Sequence, residues 1–368
     1  MGISAIESSE DIKIVYRHQI ARRILLLAFC IAAMILFIGM FSLAEYDSIS
    51  ISETYKIIWN HLMGTTYDVH SEDITERRYF WADRFIWNTI MPHICAAILA
   101  GGGLAVCGAL MQAIMNNPLA DPYSTGISSG AAFGAVAAII SGISISTVEG
   151  EMGIVTNAFV GAMIPAVIVI ILSQRINMTP ATLILLGTAV SYFFNSLTTY
   201  VMVTADADTL KSAYLWQVGS LDSIDWNGTY VMAAVTIVGS IIVLLLSNIL
   251  NVKSLGDNSA KSLGIDVHKF RIICLTLMAV MTAAIVSFTG ILGFIGLVSP
   301  HIVRLVIGSD NKFVIPVSIV VGSFLLLLSD YLAFQLSDIP VGVILSIIGS
   351  PVFFLLIVFQ GRRTGAIY

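Results

Sequence analysis

Charge is what this 368-residue chain has least of: Asp, Glu, Lys and Arg together make up 11% of it, against 57% apolar residues. At a mean hydropathy of +0.91, too little polar surface exists to wrap a water-soluble core of this size, which excludes a soluble globular protein. Cysteine is scarce as well. Cys30, Cys95, Cys107 and Cys274 all fall within apolar runs and form no Cys-x-x-Cys pair; they read as buried, inert thiols and supply no disulfide or metal framework. The apolar runs do not alternate with polar residues, which argues against a membrane β-barrel. No Gly-x4-Gly-Lys-Ser/Thr phosphate loop occurs, so the chain offers no recognisable site for nucleotide phosphates. His-Glu-x-x-His is missing too, and Ile127 stands where a Gly-x-Ser-Gly protease pattern ending at Gly130 needs glycine. With no linker or low-complexity tract, residues 1–368 form a single membrane domain.

What is present is a series of long apolar runs. Reading stretches of about 17 to 25 residues as spanning helices predicts an all-α polytopic membrane protein with about ten transmembrane helices. They lie near 20–43, 89–112, 123–142, 154–173, 181–203, 228–250, 272–289, 290–307, 316–334 and 340–360. With the N-terminus in the cytoplasm, only Lys56, Arg77, Arg78, Arg84 and Lys211 of the 18 basic residues fall outside, as the positive-inside rule requires. An even number of crossings then returns the C-terminus, with Arg362 and Arg363, to the cytoplasm. The first run is too long for the apolar core of a signal peptide and reads as an anchor.

Three segments between the runs carry polar chemistry. Residues 44–88 and 204–227 are external and acidic, and Ile49-Ser50-Ile51-Ser52-Glu53 opens a surface helix running to Trp59. The inner segment 251–271 places Leu255, Ser259 and Leu263 at helical spacing, with Gly256 and Gly264 as breaks. It reads either as two short helices on the membrane surface or as a solvated connector. Within the spans, Gly126, Gly130 and Gly134 recur every four residues and let a neighbouring backbone approach closely. Ser191, Asn195 and Thr199 have the same spacing in the fifth run, a face that meets water or ligand or else hydrogen-bonds a neighbouring helix. Asp330 is the one carboxylate deep in an apolar run, where a charge costs about 2.5–3.5 kcal/mol; it belongs near the outer mouth or in a hydrogen bond. A faint internal echo links the second and third runs to Gly290, Gly293, Gly296 and Pro300.

Gln112 followed by Asn117-Pro118-Leu119-Ala120-Asp121-Pro122 and then Gly126, Gly130 and Ala131 resembles the signature of the FecCD-type permeases. These are membrane subunits of ABC importers for iron-siderophore chelates, haem and cobalamin. The likeness extends through Trp216-Gln217-Val218-Gly219-Ser220-Leu221, Gly293-Phe294-Ile295-Gly296-Leu297-Val298-Ser299-Pro300-His301 and Ile339-Pro340-Val341-Gly342 to Gly349-Ser350-Pro351. The resemblance implies a non-enzymatic subunit that works as a homodimer. Its partners would be two cytoplasmic ATPase subunits, which hold the ATP and magnesium, and an external substrate-binding protein. It makes 251–271 the coupling helices, with Leu255, Gly256, Ser259, Ala260, Leu263 and Gly264 at the ATPase contact. It also places Ser191, Asn195 and Thr199 on the translocation pathway and Thr179 and Thr182 at its inner gate. Where the family carries arginines, this chain has His93 and Phe334. Binding-protein docking is therefore expected to use Arg77, Arg78, Arg84 and His93, unless the three arginines simply anchor the helix end at headgroups. An ATP-independent secondary transporter is the alternative function. No residue in the sequence specifies the chelate, and neither direct metal coordination nor nucleic-acid binding has support.

Overall fold

A computed structural model describes residues 9–45, 49–145, 150–175, 179–336 and 339–364, and every regular element among them is helical. Helix α1 (Ser9–Glu45) carries the first apolar run and leads to two short helices, α2 (Ile51–Leu62) and α3 (Ile74–Phe85). A single π turn, Ile86–Ile90, joins α3 to α4 (Met91–Met115), and a 3-10 turn, Pro122–Thr125, precedes α5 (Ile127–Ser141). There follow α6 (Glu151–Arg175), α7 (Pro180–Val203), α8 (Ala207–Val218), α9 (Trp226–Leu245), α10 (Ser247–Lys253) and α11 (Asp257–Ser262). The chain closes with α12 (Val267–Thr289), α13 (Ile295–Ile307), α14 (Asn311–Gln335) and α15 (Val341–Thr364).

Among the described residues, stretches in α1, the α3–α4 unit, α6, α7, α9, α12 and α14 are long and apolar enough to cross a membrane. Three apolar helices are shorter: α5, α13 and Val341–Leu356 of α15. Two of the predicted runs, near 123–142 and 290–307, thus hold helices shorter than expected. At 15 and 13 residues, α5 and α13 reach about 23 and 20 Å, short of the ~30 Å of bilayer hydrocarbon. Local backbone chemistry explains both. Asn116 stops α4 in a left-handed conformation (φ 48°), and Pro118 and Pro122 each lack a donor, so the helix restarts only at Gly126 (φ 85°). Gly290 (φ 66°) ends α12, and Phe294 (φ 67°) sets the start of α13.

The scarce acids are spent on helix starts. Asp206, Asp225, Asp266 and Asp310 accept backbone N–H bonds at the N-caps of α8, α9, α12 and α14, each satisfying donors that a helix start leaves orphaned. Ser50 and Glu53 form a reciprocal capping box on α2, and hydrogen bonds from Ser50 hold the Glu53 carboxyl down at about 2.

Helix α4 is the centre of the bundle, because its glycines let other backbones come close on several sides. A Cβ on Gly101 would strike the Gly322 carbonyl of α14, and one on Gly108 would overlap the Gly296 carbonyl of α13. Gly130 and Gly134 of α5 likewise accept the α6 backbone at Gly161 and Asn157. Gly126 does not share that face: it is the left-handed turn itself, against Val190 of α7. Side chains then cross-link the wall. The Gln112 Nε2 donates to the Leu297 carbonyl (3.1 Å), the Ser323 hydroxyl to Ile98 (2.7 Å) and the Trp226 indole N–H to Trp87 (2.8 Å). Cys30, Cys107 and Cys274 are buried, Cys95 is half-buried, and all four are free.

Candidate functional site

The two short helices begin inside the bundle, and their starts meet. The Tyr123 hydroxyl, from the 3-10 turn before α5, donates to the Leu292 carbonyl in the break before α13 (3.1 Å), and Pro122 packs against Gly296. Both helices start from a left-handed residue, Gly126 in one and Phe294 in the other. Broken helices at membrane depth are tolerated where protein or a cavity takes up the freed backbone groups, and transporters build pathways from such pairs. Here the break also abuts a third segment. Ser220 N–H donates to the Thr289 carbonyl (3.0 Å), Gly342 N–H to the Gly219 carbonyl (3.2 Å), and Gly290 lies against the Trp216 carbonyl. Three separate sequence stretches, Trp216–Ser220, Gly290–Phe294 and Pro340–Gly342, thus converge at one junction. An open cavity of about 710 Å³ lies over it, lined by Gln217, Ile291, Gly293, Gly342, Ser346 and Ser350 among others.

Helix α7 stands apart from this cavity, none of whose lining residues it supplies. It packs on α5 and α6, with Gly187 against the Ser124 carbonyl. Asn195 and Thr199 are exposed and Ser191 is half-buried, and they lie among the exposed rings of Tyr192, Phe193 and Tyr200. The Thr199 hydroxyl donates to the Asn195 carbonyl (2.9 Å). Thr179 caps α7, accepting from Thr182 N–H (3.1 Å), and the two hydroxyls are 2.8 Å apart. Within one subunit, then, the polar stripe of α7 and the α15 cavity are two surfaces.

The segment 251–271 holds the end of α10, then α11 and the start of α12. Gly256 (φ 106°) breaks the chain between α10 and α11, and Gly264 (φ 81°) follows α11. Leu255 therefore precedes the break and does not continue the α11 spacing of Ser259 and Leu263. Leu255 (72%) and Leu263 (67%) project outward and Ser259 is exposed, whereas Ala260 is fully buried beneath α11. Asp257 fixes the arrangement by pairing with the buried Lys253 ammonium and with Arg271 (3.1 Å). Partial burial pushes its carboxyl up, but the Lys253 hydrogen bond and the two positive charges outweigh that and hold it below the ordinary range.

At the opposite end, Arg77 and Arg84 are exposed, with Arg84 lying over the Phe80 ring (4.9 Å). Arg78 pairs with Glu53 (2.5 Å). His93 is enclosed and paired. Its side chain is 13% exposed and its Nε2 lies 2.7 Å from Asp330 Oδ2, itself 6% exposed, while the ring packs on Phe41. Phe334 packs on the same Phe41. The two positions at which this chain lacks arginine thus face one small cavity of about 180 Å³, together with Asp330. Sequence reading had Asp330 as a carboxylate needing a partner and His93 as a departure, but i, i+4 periodicity gives no signal joining α4 to α14 across 237 residues. The meeting of the turn before α5 with the break before α13 involves the same stretches as the Gly-Pro echo.

An all-helical wall cross-packed through glycine, interrupted by two inward-starting short helices, defines a multi-pass membrane permease. The chain belongs to the FecCD transport family, whose model matches residues 24–359. It is 37% identical to the cobalamin import system permease protein BtuC of Halobacterium salinarum over 269 residues, covering 73% of this chain and 71% of the relative. It is 34% identical to the hemin transport system permease protein HmuU of Yersinia pestis, covering 76% and 84%. A solved structure, the inward-facing conformation of a transporter assigned to the metal-chelate ABC type, superimposes with a TM-score of 0.74 at 27% identity, covering 90% of this chain and 98% of that one. The protein is therefore an ABC transporter permease of the plasma membrane, from a family whose members are not themselves enzymes.

Proposed function

We propose that this chain is the membrane subunit of an importer that moves a bulky metal chelate, an iron-siderophore, haem or cobalamin, between two copies of itself. In this reading the ten predicted crossings leave both termini in the cytoplasm. ATP and magnesium act on two separate ATPase subunits seated on Leu255, Gly256, Ser259, Leu263 and Gly264, with Ala260 packing the coupling helix from behind. An external binding protein docks on Arg77 and Arg84, with Arg78 and His93 bracing that face through Glu53 and Asp330. The observation that carries the reading is the exposed face of α7 opposite its contacts with α5 and α6. An apolar helix bearing an exposed Asn195–Thr199 stripe and several exposed rings suits a second subunit and a large, weakly polar cargo better than lipid alone. Ser191, Asn195 and Thr199 would then face the α15 cavity across the dimer, with Thr179 and Thr182 at its inner end.

The test is reconstitution of the chain in vesicles with its cognate ATPase and binding protein, followed by uptake of the ligand that the binding protein retains. Uptake that requires ATP and stops with vanadate is expected. Uptake by this chain without any ATPase would overturn the reading in favour of a secondary transporter.

A further inference from the structure

We infer that α2 is an interfacial helix, lying in the headgroup layer with Trp59, Leu62 and Met63 set into the acyl boundary. Its partner on that face is the lipid surface. The argument begins with depth. Among the described residues the apolar span of α1 covers Ile20 to Ser42, and α2 meets it before Ser42. The Tyr55 hydroxyl donates to the Ile35 carbonyl and accepts from Gly39 N–H (3.1 Å), while Ile51 fills the space beside Gly39. At 1.5 Å per residue these contacts lie about 5 to 10 Å inside the span, the depth at which membrane-surface helices bury their apolar face.

Continuity supports the same occupant. Helix α1 is the least enclosed of the spans among the described residues, with 17% of its window buried, and its outward side chains Phe29, Ile31, Ile35 and Leu36 are largely exposed, although Phe29 touches the Phe324 ring at its edge. This bare face runs directly up to α2. There Lys56, Trp59 and Met63 share one helical face, flanked by Leu62, and the three apolar members are 62%, 60% and 61% exposed for Trp59, Leu62 and Met63 respectively. Thr54 and Ile57 fill the opposite, buried side. A tryptophan and long aliphatic chains beside a lysine is the composition of a membrane-interface anchor; the Lys56 ammonium itself lies 5.7 Å from the Tyr79 ring centre, at the α3 edge of the face. The face carries no carboxylate: Glu53 is turned away to Ser50, Arg78 and Tyr79.

The anchor has a mechanical consequence. Glu53 binds Arg78 and Tyr79 of α3, and His61 bonds Asp83 (2.8 Å) and stacks on Trp87 at 4.0 Å. Fixing α2 at the interface therefore fixes the height of α3 and of Arg77 and Arg84 relative to the bilayer. The inference needs α1 to span the membrane and is independent of which side faces out.

Spin labels at Trp59→Cys and Met63→Cys test it, in full-length protein in nanodiscs of phosphatidylcholine and phosphatidylglycerol, with background from the four native thiols measured on the unsubstituted chain. Phe29→Cys on bare α1 is the lipid reference and exposed Glu72→Cys the water reference. Labels at 59 and 63 are expected to favour collisions with oxygen over a water-soluble nickel chelate severalfold more than the label at 72, approaching the label at 29. A chelate accessibility equal to that at 72 would overturn the inference. So would shielding from both reagents, either alone, which means a second copy covers the face, or only after the binding protein is added, which means that protein does.

Discussion

Helices α4 and α7 differ by one residue in length, 25 against 24, and both are strongly apolar, yet they occupy opposite situations. The α3–α4 span has 83% of its most apolar window buried and the α7 span 28%. The difference lies in which small residues sit where. In α4 the run Gly101–Gly103 and Gly108 turn toward different neighbours, so helices close in on several sides; with lipid as apolar as any side chain, such close packing is what holds membrane helices together. In α7 the one packing glycine, Gly187, faces α5's entry turn; Leu183, Phe194 and Thr198 are buried, while Tyr192, Phe193, Asn195, Thr199 and Tyr200 form an exposed face of rings, a hydroxyl and an amide. The Gly-rich part of the family signature therefore sits in the wall, while the exposed face of α7 carries none of its motifs.

The sharpest way to break this contrast is to fill the wall. A Gly108→Val side chain would collide with the Gly296 carbonyl, backbone that cannot rotate away, so a loss of more than about 3 kcal/mol and little folded protein are expected in thermal unfolding in detergent. Gly293→Ala is the control, since a Cβ there meets nothing within 4 Å. Its melting temperature is expected to be unchanged. Equal damage from both would show that the breaks, rather than the packing, set the stability.

Next in size is His93→Ala, which strips the buried Asp330 of its partner. Removing one member of a buried pair costs about 3–5 kcal/mol. Lower stability is expected with His93→Ala, measured by the same unfolding, and most of it is expected to return in the double variant with Asp330→Leu. A pair that contributed nothing would leave His93→Ala as stable as the parent.

How much of this was legible beforehand follows the same division. Span positions came from apolar runs, and the breaks at Gly256 and Gly264 from glycine chemistry, because these are local properties; Gly126 reads as a packing residue by its four-residue spacing and is instead the turn before α5. The shortness of α5 and α13 was missed because residues 123–126 and 290–294, which the left-handed Gly126 and Phe294 keep out of each helix, lie inside apolar stretches where hydropathy reads straight through them. The His93–Asp330 pair, the burial of Ala260 and the convergence of Gly219, Gly290 and Gly342 depend on which helices become neighbours, and no periodicity within one helix encodes that.

A smaller effect is expected at the coupling segment. Asp257→Asn leaves the buried Lys253 ammonium without its carboxylate, but Asp257 is 43% exposed, so solvent screening limits the loss to about 1 kcal/mol. The larger consequence should appear in coupling: with α10, α11 and α12 no longer clamped, stimulation of the ATPase subunits by loaded binding protein is expected to fall severalfold. Stimulation at the parent level would show that Leu255 and Leu263 keep their positions without the clamp.

The smallest effect on stability belongs to α7, and it completes the contrast. Replacing Ser191, Asn195 and Thr199 by alanine together removes two exposed polar groups and one half-buried hydroxyl. No bond between helices is lost, since the Thr199 hydroxyl bonds only within its own helix. Alanine also favours helix over serine, asparagine and threonine by a few tenths of a kcal/mol each, so the melting temperature should stay level or rise slightly. Transport in reconstituted vesicles should nonetheless drop severalfold, because the stripe is what a polar-edged cargo meets if two α7 helices line its route. Stability and activity would then move in opposite directions in this helix, whereas in α4 they fall together. A triple variant that transports at the parent rate would place the pathway elsewhere, with the α15 cavity as the surface to substitute next.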